Sequence, residues 1–282
     1  MPVTPQDMLE LAKLVKQLCG LALDDSKGYL IESRLSQVAA EAGCDNYVEL
    51  CRRALSGDRQ LRTKVVDAIT THETLFFRDG SPFNVLKHRV IPDIIDAKAN
   101  SPLSKRIRFW CAACSTGQEC YSIAIVLSEL LPNIASWNIN ILGTDIADSS
   151  IAQACRGTYS NYEIGRGMPP NYLHKYMQRD GANWKVRDSL RALVQFERRN
   201  LLEPFHDLGP FDVIFCRNVA IYFDPTTRRN LFHRLAERLT PTGYLFVGAS
   251  ESLTDLGPRF APKMYCRGIF YQPNMAGQQV AT

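Results

Sequence analysis

Apolar residues recur at helical spacing through the first 75 residues of the chain. In the first segment they share one helical face and are Met8, Leu11, Leu14, Val15 and Leu18. A second segment of this kind runs from Ser26, a candidate N-cap, to Gly43, and two shorter segments cover residues 47–55 and 60–70. No part of this region alternates between apolar and polar residues as a strand does. The pattern predicts an all-helical N-terminal domain over residues 1–75.

From Arg106 onward, short apolar runs without a helical period alternate with helical segments. The runs that predict strands are RIRFWCAAC, NINILGTDI, LVQFERRN, FDVIFCRN, GYLFVGAS and the closing run MYCRGIFYQ. Strands that alternate with helices form βαβ units and therefore a parallel sheet, to which the closing run adds one last strand, parallel or antiparallel. Residues 159–190 are rich in turn residues, which predicts an inserted subdomain or a long functional loop. The pattern predicts an α/β domain over residues 76–275 and a frayed tail over residues 276–282.

Composition and charge narrow the class of protein. The chain has 282 residues, of which 45% are hydrophobic and 22% charged, and its net charge of +4 lacks the clustered basic excess of nucleic-acid binders. No apolar run reaches the about 18 residues of a membrane span, and the N-terminus has no secretory signal. Nine cysteines without a regular framework indicate reduced thiols. These features predict a cytoplasmic globular protein with no membrane insertion and no nucleic-acid partner.

Two basic residues of the second predicted helix share one face. They are Lys27 and Arg34, which are seven positions apart. One interpretation of this face is a docking strip for an acidic partner, and the other is an ordinary solvated helix surface. The sequence alone leaves both interpretations open.

The first predicted strand ends in a run of small residues, 112–117, that leads directly into a helix. Small residues let the backbone approach a ligand, and the helix N-terminus offers unpaired N–H groups to an anion. The run has one glycine and lacks the GxGxxG pattern that suits a pyrophosphate. Asp145 ends the second strand, where an acid accepts from ribose hydroxyls or caps the next helix, and Asn218 follows the fourth strand as a ligand contact or a turn residue. These positions favour an adenosyl ligand with an amino-acid tail, S-adenosylmethionine.

Seven segments along nearly the whole chain resemble the CheR family of chemotaxis-receptor methyltransferases. They are GYLIESRL, THETLFFRD, WCAACSTGQECYSIA, GTDIADSSIAQA, ERRNLLEPF, FDVIFCRNVAIYFD and LFVGASESL. The resemblance implies a helical N-terminal domain, a class I S-adenosylmethionine-dependent methyltransferase domain with a Rossmann-like α/β fold, and a small inserted β subdomain. It also implies transfer of a methyl group from S-adenosylmethionine to glutamate carboxylates of chemoreceptors. The products are glutamyl γ-methyl esters and S-adenosylhomocysteine, in chemotactic adaptation.

The resemblance also implies site residues by position. Those expected to contact the cofactor are His72, Thr74, Arg78, Glu119, Asp145, Asn200, Leu201, Arg217 and Asn218. Arg78 can pair with the methionine carboxylate through two parallel hydrogen bonds, and Glu119 can accept from the ammonium group. Asn200 and Leu201 can present an amide and an apolar wall to the adenine. Arg78 and Tyr222 are the predicted catalytic residues, although Tyr222 can equally be an aromatic packed within its motif.

Several positions depart from the family pattern. His72 stands where the family usually has Asn, and Gln118 and Cys120 replace the usual Glu and Pro. These departures leave cofactor affinity and substrate preference open. No metal is expected, because Cys111 and Cys114 have no second ligand pair and the histidines lack metal-binding spacing.

Three other functions compete with this interpretation. A nicotinamide dehydrogenase would share the strand, the small-residue turn and the acid, but the missing glycines argue against it. A module that binds S-adenosylmethionine without turnover would keep the same motifs. Methylation of amines on nucleic-acid bases often uses an Asn/Asp-Pro-Pro-Tyr/Phe site after the fourth strand, where this chain has Arg-Asn-Val-Ala at 217–220.

Overall fold

The structure is a computed structural model that describes residues 3–22, 28–99 and 105–274. Its N-terminal part consists of helices, which are α1 (Pro5–Cys19), α2 (Gly28–Glu41), α3 (Tyr47–Leu55) and α4 (Arg59–Ile69). Their apolar faces meet in one core cluster that includes Leu14, Leu35 and Leu61. The helical N-terminal domain predicted from the sequence is confirmed. The candidate N-cap Ser26 and the candidate docking residue Lys27 lie outside the described residues.

Local signals set the ends of these helices. Thr4 and Asp7 form a capping box at the start of α1, and the Asp58 side chain accepts from the Leu61 N–H at the start of α4 (3.0 Å). Gly20 ends α1 in the left-handed conformation (φ 78°). A Cβ on this glycine would lie 2.9 Å from Leu202 Cδ2, so Gly20 also allows the helical domain to approach the second domain closely.

The second part of the chain is built on a seven-stranded sheet with the order β6-β2-β1-β7-β8-β10-β9. Its strands are β1 (Arg106–Ala112), β2 (Asn138–Asp145), β6 (Val194–Arg198), β7 (Phe211–Cys216), β8 (Leu239–Phe246), β9 (Phe260–Tyr265) and β10 (Gly268–Pro273). The first five of these pair in parallel, and β10 is antiparallel to both β8 and β9. The closing run was predicted to be one strand, and that prediction is wrong: Cys266 and Arg267 turn it into a hairpin, both with positive φ.

Helices cover both faces of this sheet. They are α5 (Ser81–Val85), α6 (Ile91–Ala99), α7 (Gln118–Leu130), α8 (Asp148–Arg156) and α12 (Pro225–Ala236). Phe109 and Cys111 of β1 point into the cluster under α5 to α7, whereas Trp110 and Ala112 point into the cluster under α12. The segment 81–99, in which the sequence pattern predicted no element, continues through a π-helical turn at Leu86–Val90.

The turn-rich stretch after α8 folds as a small subdomain. Its elements are β3 (Thr158–Tyr159), α9 (Asn161–Gly165), α10 (Pro170–Tyr176), β4 (Met177–Asp180), β5 (Asn183–Val186) and α11 (Asp188–Arg191). The strands form an antiparallel sheet with the order β3-β5-β4. Met177, Trp184 and Val186 are buried in the same cluster as one face of the main sheet, so the subdomain is packed onto that sheet. Within the described ranges, every helix is too short or too polar to cross a bilayer.

Candidate functional site

A cleft of about 930 Å³, its open mouth included, lies where β1, β2, β6 and β7 end at their carboxyl sides. The segment that follows α4, residues 70–74, forms its opposite wall. Every residue that the sequence assigned to the site lines this cleft: His72, Thr74, Arg78, Glu119, Asp145, Asn200, Leu201, Arg217, Asn218 and Tyr222. Parallel strands bring their carboxyl ends to one edge, which explains why residues far apart in sequence meet here.

The loop after β1 has an unusual backbone. Ala113 (φ 65°) and Ser115 (φ 50°) are left-handed although neither is glycine, and Gly117 (φ 94°) begins α7. Left-handed non-glycine residues cost about 1–3 kcal/mol each and persist where the surroundings hold them. Here the Ser115 N–H donates to Asp145 Oδ2 (2.8 Å), and the Ser115 hydroxyl donates to the carbonyl of His72 (2.9 Å). The loop is therefore fixed between β2 and the helical domain, with its backbone against the cleft.

Asp145 lies at the centre of the cleft wall and is buried. Its second oxygen, Oδ1, accepts from the Ala147 N–H (3.0 Å), so the carboxylate joins the loops that follow β1 and β2. Burial raises the pKa of the Asp145 carboxyl above its ordinary value, and the N–H groups of Ala147 and Ser115 lower it in part. Each oxygen retains a lone pair after these bonds, so Asp145 can also accept from hydroxyl groups of a ligand.

Arg217 organises the charged end of the cleft. Its side chain is 2% exposed and bridges two carboxylates, with Nη1 2.8 Å from Glu119 Oε2 and Nη2 2.7 Å from Asp79 Oδ2. Nη2 also donates to the carbonyl of Arg78 (3.1 Å). A further donor, Nε, is buried and has no partner among the described residues. Buried donors without a partner are rare in folded proteins.

Arg78 lies at the lip of the same cleft on a strained segment. Its neighbours Phe77 (φ 53°) and Asp79 (φ 67°) are both left-handed. The guanidinium donates through Nη1 to the carbonyl of Glu73 (2.9 Å), and the Glu73 carboxylate pairs with Arg166 of the inserted subdomain (2.5 Å). This arrangement holds Arg78 at the cleft and leaves most N–H groups of its guanidinium without a partner among the described residues.

His72 and Asn200 line the cleft, but their polar atoms are already bonded to the protein. The His72 ring has Nδ1 2.9 Å from the Ser150 hydroxyl and Nε2 3.0 Å from the Asp67 carbonyl. The Asn200 amide donates through Nδ2 to the carbonyl of Leu18 (2.8 Å), and its Oδ1 accepts from the N–H of residue 202 (3.0 Å). Both side chains therefore hold neighbouring segments in place, in addition to any contact with a ligand.

Tyr222 and Asn218 lie on the loop that follows β7. Tyr222 ends a 3₁₀ turn, and its carbonyl accepts from the Ala22 N–H (2.8 Å), which ties the loop to the helical domain. Its hydroxyl has no hydrogen bond to any residue in the described part of the chain. Asn218 is left-handed (φ 57°), and its N–H donates to Glu251 Oε2 (2.7 Å). The same oxygen accepts from the Gly248 N–H (2.7 Å), so Glu251 joins the loops after β7 and β8.

The positions that depart from the family pattern differ in where they lie. Gln118 and Cys120 are buried in α7 away from the cleft lining, and Gln118 accepts from the Thr116 hydroxyl (2.8 Å). Only His72 faces the cleft. Substitution at the other two therefore acts on the packing of α7 rather than by contact with a ligand.

Arg34, one of the two candidate docking residues, is partly engaged within the helical domain. Its Nη1 donates to the carbonyls of Ile69 (2.9 Å) and Thr70 (3.3 Å) at the end of α4. The next residues line the cleft, so Arg34 supports one of its walls. Over residues 3–22, 28–99 and 105–274, no group of three or more His, Cys, Asp or Glu side chains is arranged to hold a metal ion.

Sequence reasoning missed the residues that hold this site together. Asp79, Ser150 and Glu251 each fix a cleft residue, yet none of them was singled out. Their partners Arg217, His72 and Asn218 are 138, 78 and 33 positions away along the chain. The one available signal was that all three lie within segments of the family resemblance: Asp79 in THETLFFRD, Ser150 in GTDIADSSIAQA and Glu251 in LFVGASESL.

The chain matches two family descriptions. Residues 6–70 match "CheR methyltransferase, all-alpha domain" and residues 72–265 match "CheR methyltransferase, SAM binding domain". It is 40% identical to "Chemotaxis protein methyltransferase 1" of Pseudomonas aeruginosa, over 92% of this chain and 94% of that protein. It is 38% identical to "Chemotaxis protein methyltransferase" of Vibrio anguillarum, over 96% and 98% of the respective chains.

Similarity to solved structures is more distant. An S-adenosylmethionine-dependent methyltransferase from Mesorhizobium loti is 15% identical, with a TM-score of 0.31, over 60% of this chain and 57% of that chain. That likeness carries no argument about function. The two family matches together cover most of the sequence, and the relatives align over nearly their full length. The chain therefore belongs to the CheR family and is an S-adenosylmethionine-dependent methyltransferase of chemotaxis.

Proposed function

We propose that this cleft transfers the methyl group of S-adenosylmethionine to glutamate side-chain carboxylates of a chemoreceptor. The observation that carries the proposal is the charge arrangement at the strand ends. Arg78 offers donors for a carboxylate, while Glu119 and Asp145 offer acceptors for an ammonium group and for hydroxyls. A zwitterionic amino-acid tail and a ribose need this set of partners.

The residues present fit the cofactor by this test. We assign Arg78 to its carboxylate, Glu119 to its ammonium and Asp145 to its ribose hydroxyls. Leu201, which is buried in the cleft wall, supplies an apolar surface for the adenine. Arg217 donates to Glu119 and so holds that carboxylate in place.

Four further residues complete the cofactor site in this proposal. His72, Thr74, Asn200 and Asn218 shape the walls, and the bonds of His72 and Asn200 keep those walls rigid. A rigid wall limits the ligand to one orientation. That limit matters because misplacement by about 1 Å costs an enzyme of this kind about a hundredfold in rate.

The chemistry asks for positioning more than for acid–base catalysis. When bound, S-adenosylmethionine supplies the methyl group as the electrophilic carbon of a sulfonium. A glutamate carboxylate at neutral pH is already the nucleophile, so the carbon–oxygen bond forms as the carbon–sulfur bond breaks and no proton moves. The protein holds the two groups in line, which is worth about 7–11 kcal/mol in such reactions. The reaction therefore requires no general base from the cleft.

We assign Tyr222 to the acceptor side of the cleft. Its ring lines the cleft beside Asn218, and its hydroxyl has no partner within the described residues. A free hydroxyl there can donate to the glutamate carboxylate that enters. Arg78, which also lines the cleft, completes the pair of residues that we place closest to the reacting groups.

The partner in this proposal is the cytoplasmic part of a methyl-accepting chemoreceptor, which places the enzyme in the cytoplasm. Lys27 and Arg34 remain the candidate docking residues for its acidic surface. Arg34 contributes its remaining donors, because Nη1 is bound to the carbonyls at the end of α4. The reaction that we propose uses neither a metal nor a nucleic acid.

Transfer of label tests the proposal. With methyl-labelled S-adenosylmethionine and receptor-containing membranes, label should appear on the receptor and leave as methanol in mild base, because carboxyl methyl esters hydrolyse there. Tyr222→Phe should lower the turnover number about 10- to 100-fold, the value of one hydrogen bond to a charged group, with unchanged affinity for S-adenosylhomocysteine. Tyr162→Phe, on the exposed surface of the inserted subdomain, is the matched control and should change neither. Label that resists base, or that appears on nucleic acid, contradicts the proposal.

A further inference from the structure

A second cleft lies between the helical domain and the end of β6, next to the cofactor cleft. It encloses about 1030 Å³, its open mouth included. Its walls come from α1, α4, the loop after β2 and the residues that follow β6. Nothing in the proposed methyl transfer uses this space.

Arginines dominate the lining of this second cleft. Arg59, Arg62, Arg198 and Arg199 line it, with Glu203 as the one acid in the lining. Clustered arginines around a concave surface attract an anion, and the guanidinium fork matches the geometry of phosphate oxygens. An anion is therefore favoured by those arginines whose charge no carboxylate compensates.

Two of the four arginines are already neutralised. Arg199 pairs with Asp207 (2.5 Å) and Glu197 (3.2 Å), and Arg198 pairs with Asp148 (3.2 Å). These two contribute shape and hydrogen-bond donors more than net charge.

The other two arginines have no acidic partner within the described residues. Arg59 makes no hydrogen bond to them at all. Arg62 donates through Nε (3.2 Å) and Nη2 (3.1 Å) to the carbonyl of Ala54, which leaves its charge uncompensated. The nearest acid in sequence, Asp58, is bound to Arg53 and to the N–H of Leu61. Arg59 and Arg62 are three positions apart on α4 and therefore lie on one helix face.

The rest of the lining suits a small organic phosphate. Gln17 and Thr63 add polar side chains that have no hydrogen bond to any residue in the described ranges, and Leu18, Val66 and Ile146 form an apolar wall. Polar groups that converge in a concave space favour a compact anion over an extended acidic peptide, which needs an open groove.

We propose that this cleft binds a small phosphate-bearing molecule, held by Arg59 and Arg62 from α4 and backed by Arg198. The site is separate from the cofactor cleft, with which it shares only wall residues, Ile146, Arg199 and Asn200. Both sites can therefore be filled at the same time.

Calorimetry with inorganic tripolyphosphate tests this site without assuming the organic part of the ligand. The titration uses the full chain saturated with S-adenosylhomocysteine, so that the cofactor cleft is occupied, and is repeated without it. We expect binding of one tripolyphosphate per chain. The double variant Arg59→Gln/Arg62→Gln should bind it about tenfold more weakly or worse, as expected for the loss of charged hydrogen bonds.

A matched control removes the same charge elsewhere on the helical domain. Arg52 and Lys64 are exposed and pair with Glu49 and Glu41 away from the cleft, so Arg52→Gln/Lys64→Gln should bind tripolyphosphate as the parent does. Arg59→Gln alone, which breaks no bond in the described structure, provides a second test if loss of the Arg62 contacts disturbs folding.

Three results would overturn the proposal. The first is no binding by the parent chain. The second is the same affinity, or the same loss, in both double variants, since that points to the general field of the domain. The third is tighter binding of a glutamate-rich peptide of equal charge with the same dependence on Arg59, since that makes the occupant an acidic polypeptide.

Discussion

Replacement of Arg217 by lysine tests whether the Arg217 guanidinium, which bridges Glu119 and Asp79, holds the charged end of the cofactor cleft in place. Lysine keeps the positive charge but offers one ammonium, which cannot span both carboxylates and reach the Arg78 carbonyl as the guanidinium does. At least one charged hydrogen bond is therefore lost. Which bond is lost decides how far the free energy of unfolding falls.

The structure sets the magnitude. Arg217 is 2% exposed and Glu119 13% exposed, so loss of that pair costs about 1.5–3 kcal/mol, the range for bonds to charged groups. Asp79 is 34% exposed, so solvent screens its pair and the loss there is about 1 kcal/mol. We expect Arg217→Lys to lower the free energy of unfolding by about 1–3 kcal/mol and to weaken binding of S-adenosylhomocysteine about tenfold, since Glu119 is no longer held in place.

Two assays measure these quantities. Urea unfolding of the ligand-free protein gives the free energy of unfolding, and calorimetry gives the affinity for S-adenosylhomocysteine. A double-mutant cycle with Asp79→Asn then isolates the outer pair: the second substitution should cost about 1 kcal/mol less in the Arg217→Lys background than in the parent. If Asp79→Asn lowers the free energy of unfolding equally in both backgrounds, and Arg217→Lys binds the ligand as the parent does, the role that we give to the Arg217 bridge is refuted.

Other predictions concern the cofactor and the docking face. Asp145→Ala should weaken binding of S-adenosylhomocysteine by about 2–3 kcal/mol in calorimetry, and parental affinity in a folded variant would make Asp145 structural. Because ribose hydroxyls need the ionised carboxylate and burial raises the pKa of Asp145, the parent's affinity should fall with acidification from a pH above the ordinary range of aspartate, whereas Asp145→Ala should lack this dependence. Lys27→Glu should impair receptor methylation and spare ligand affinity; Arg34→Glu should weaken both, since Arg34 holds the carbonyls beside the cleft. Equal ligand affinity in the two charge reversals would contradict this use of Arg34.

Much of the fold could be predicted because its periodicities are local. The helical domain follows from the helical spacing of apolar residues, and the parallel strands follow from apolar runs that alternate with helical segments. The hairpin of β9 and β10 could not be predicted in this way, because its turn uses Cys266 and Arg267 in place of the glycine or asparagine that marks such turns. The segment 81–99 was missed because its apolar residues, such as Phe83, Leu86 and Val90, are buried together and show no simple amphipathic stripe.

The site also has a part that the sequence predicts and a part that it does not. The residues that line the cleft were predicted because parallel strands end at one edge and because the family resemblance marks those ends. The residues that hold them could not be found from periodicity: the contact of Ser150 with His72 depends on where α8 lies against the helical domain. For the same reason, the sequence offered a docking strip or a solvated helix face for Arg34 but did not predict its hydrogen bond to the end of α4.

Glu73 links the inserted subdomain to Arg78, a residue that we propose to be catalytic. Its carboxylate binds Arg166 of that subdomain, and its carbonyl accepts from Arg78. A molecule that binds the subdomain can thus shift Arg78 through a single intervening residue, without entering the cleft. An engineer who grafts a foreign subdomain here, to redirect the enzyme, must retain a cation at position 166 to keep this link to Arg78.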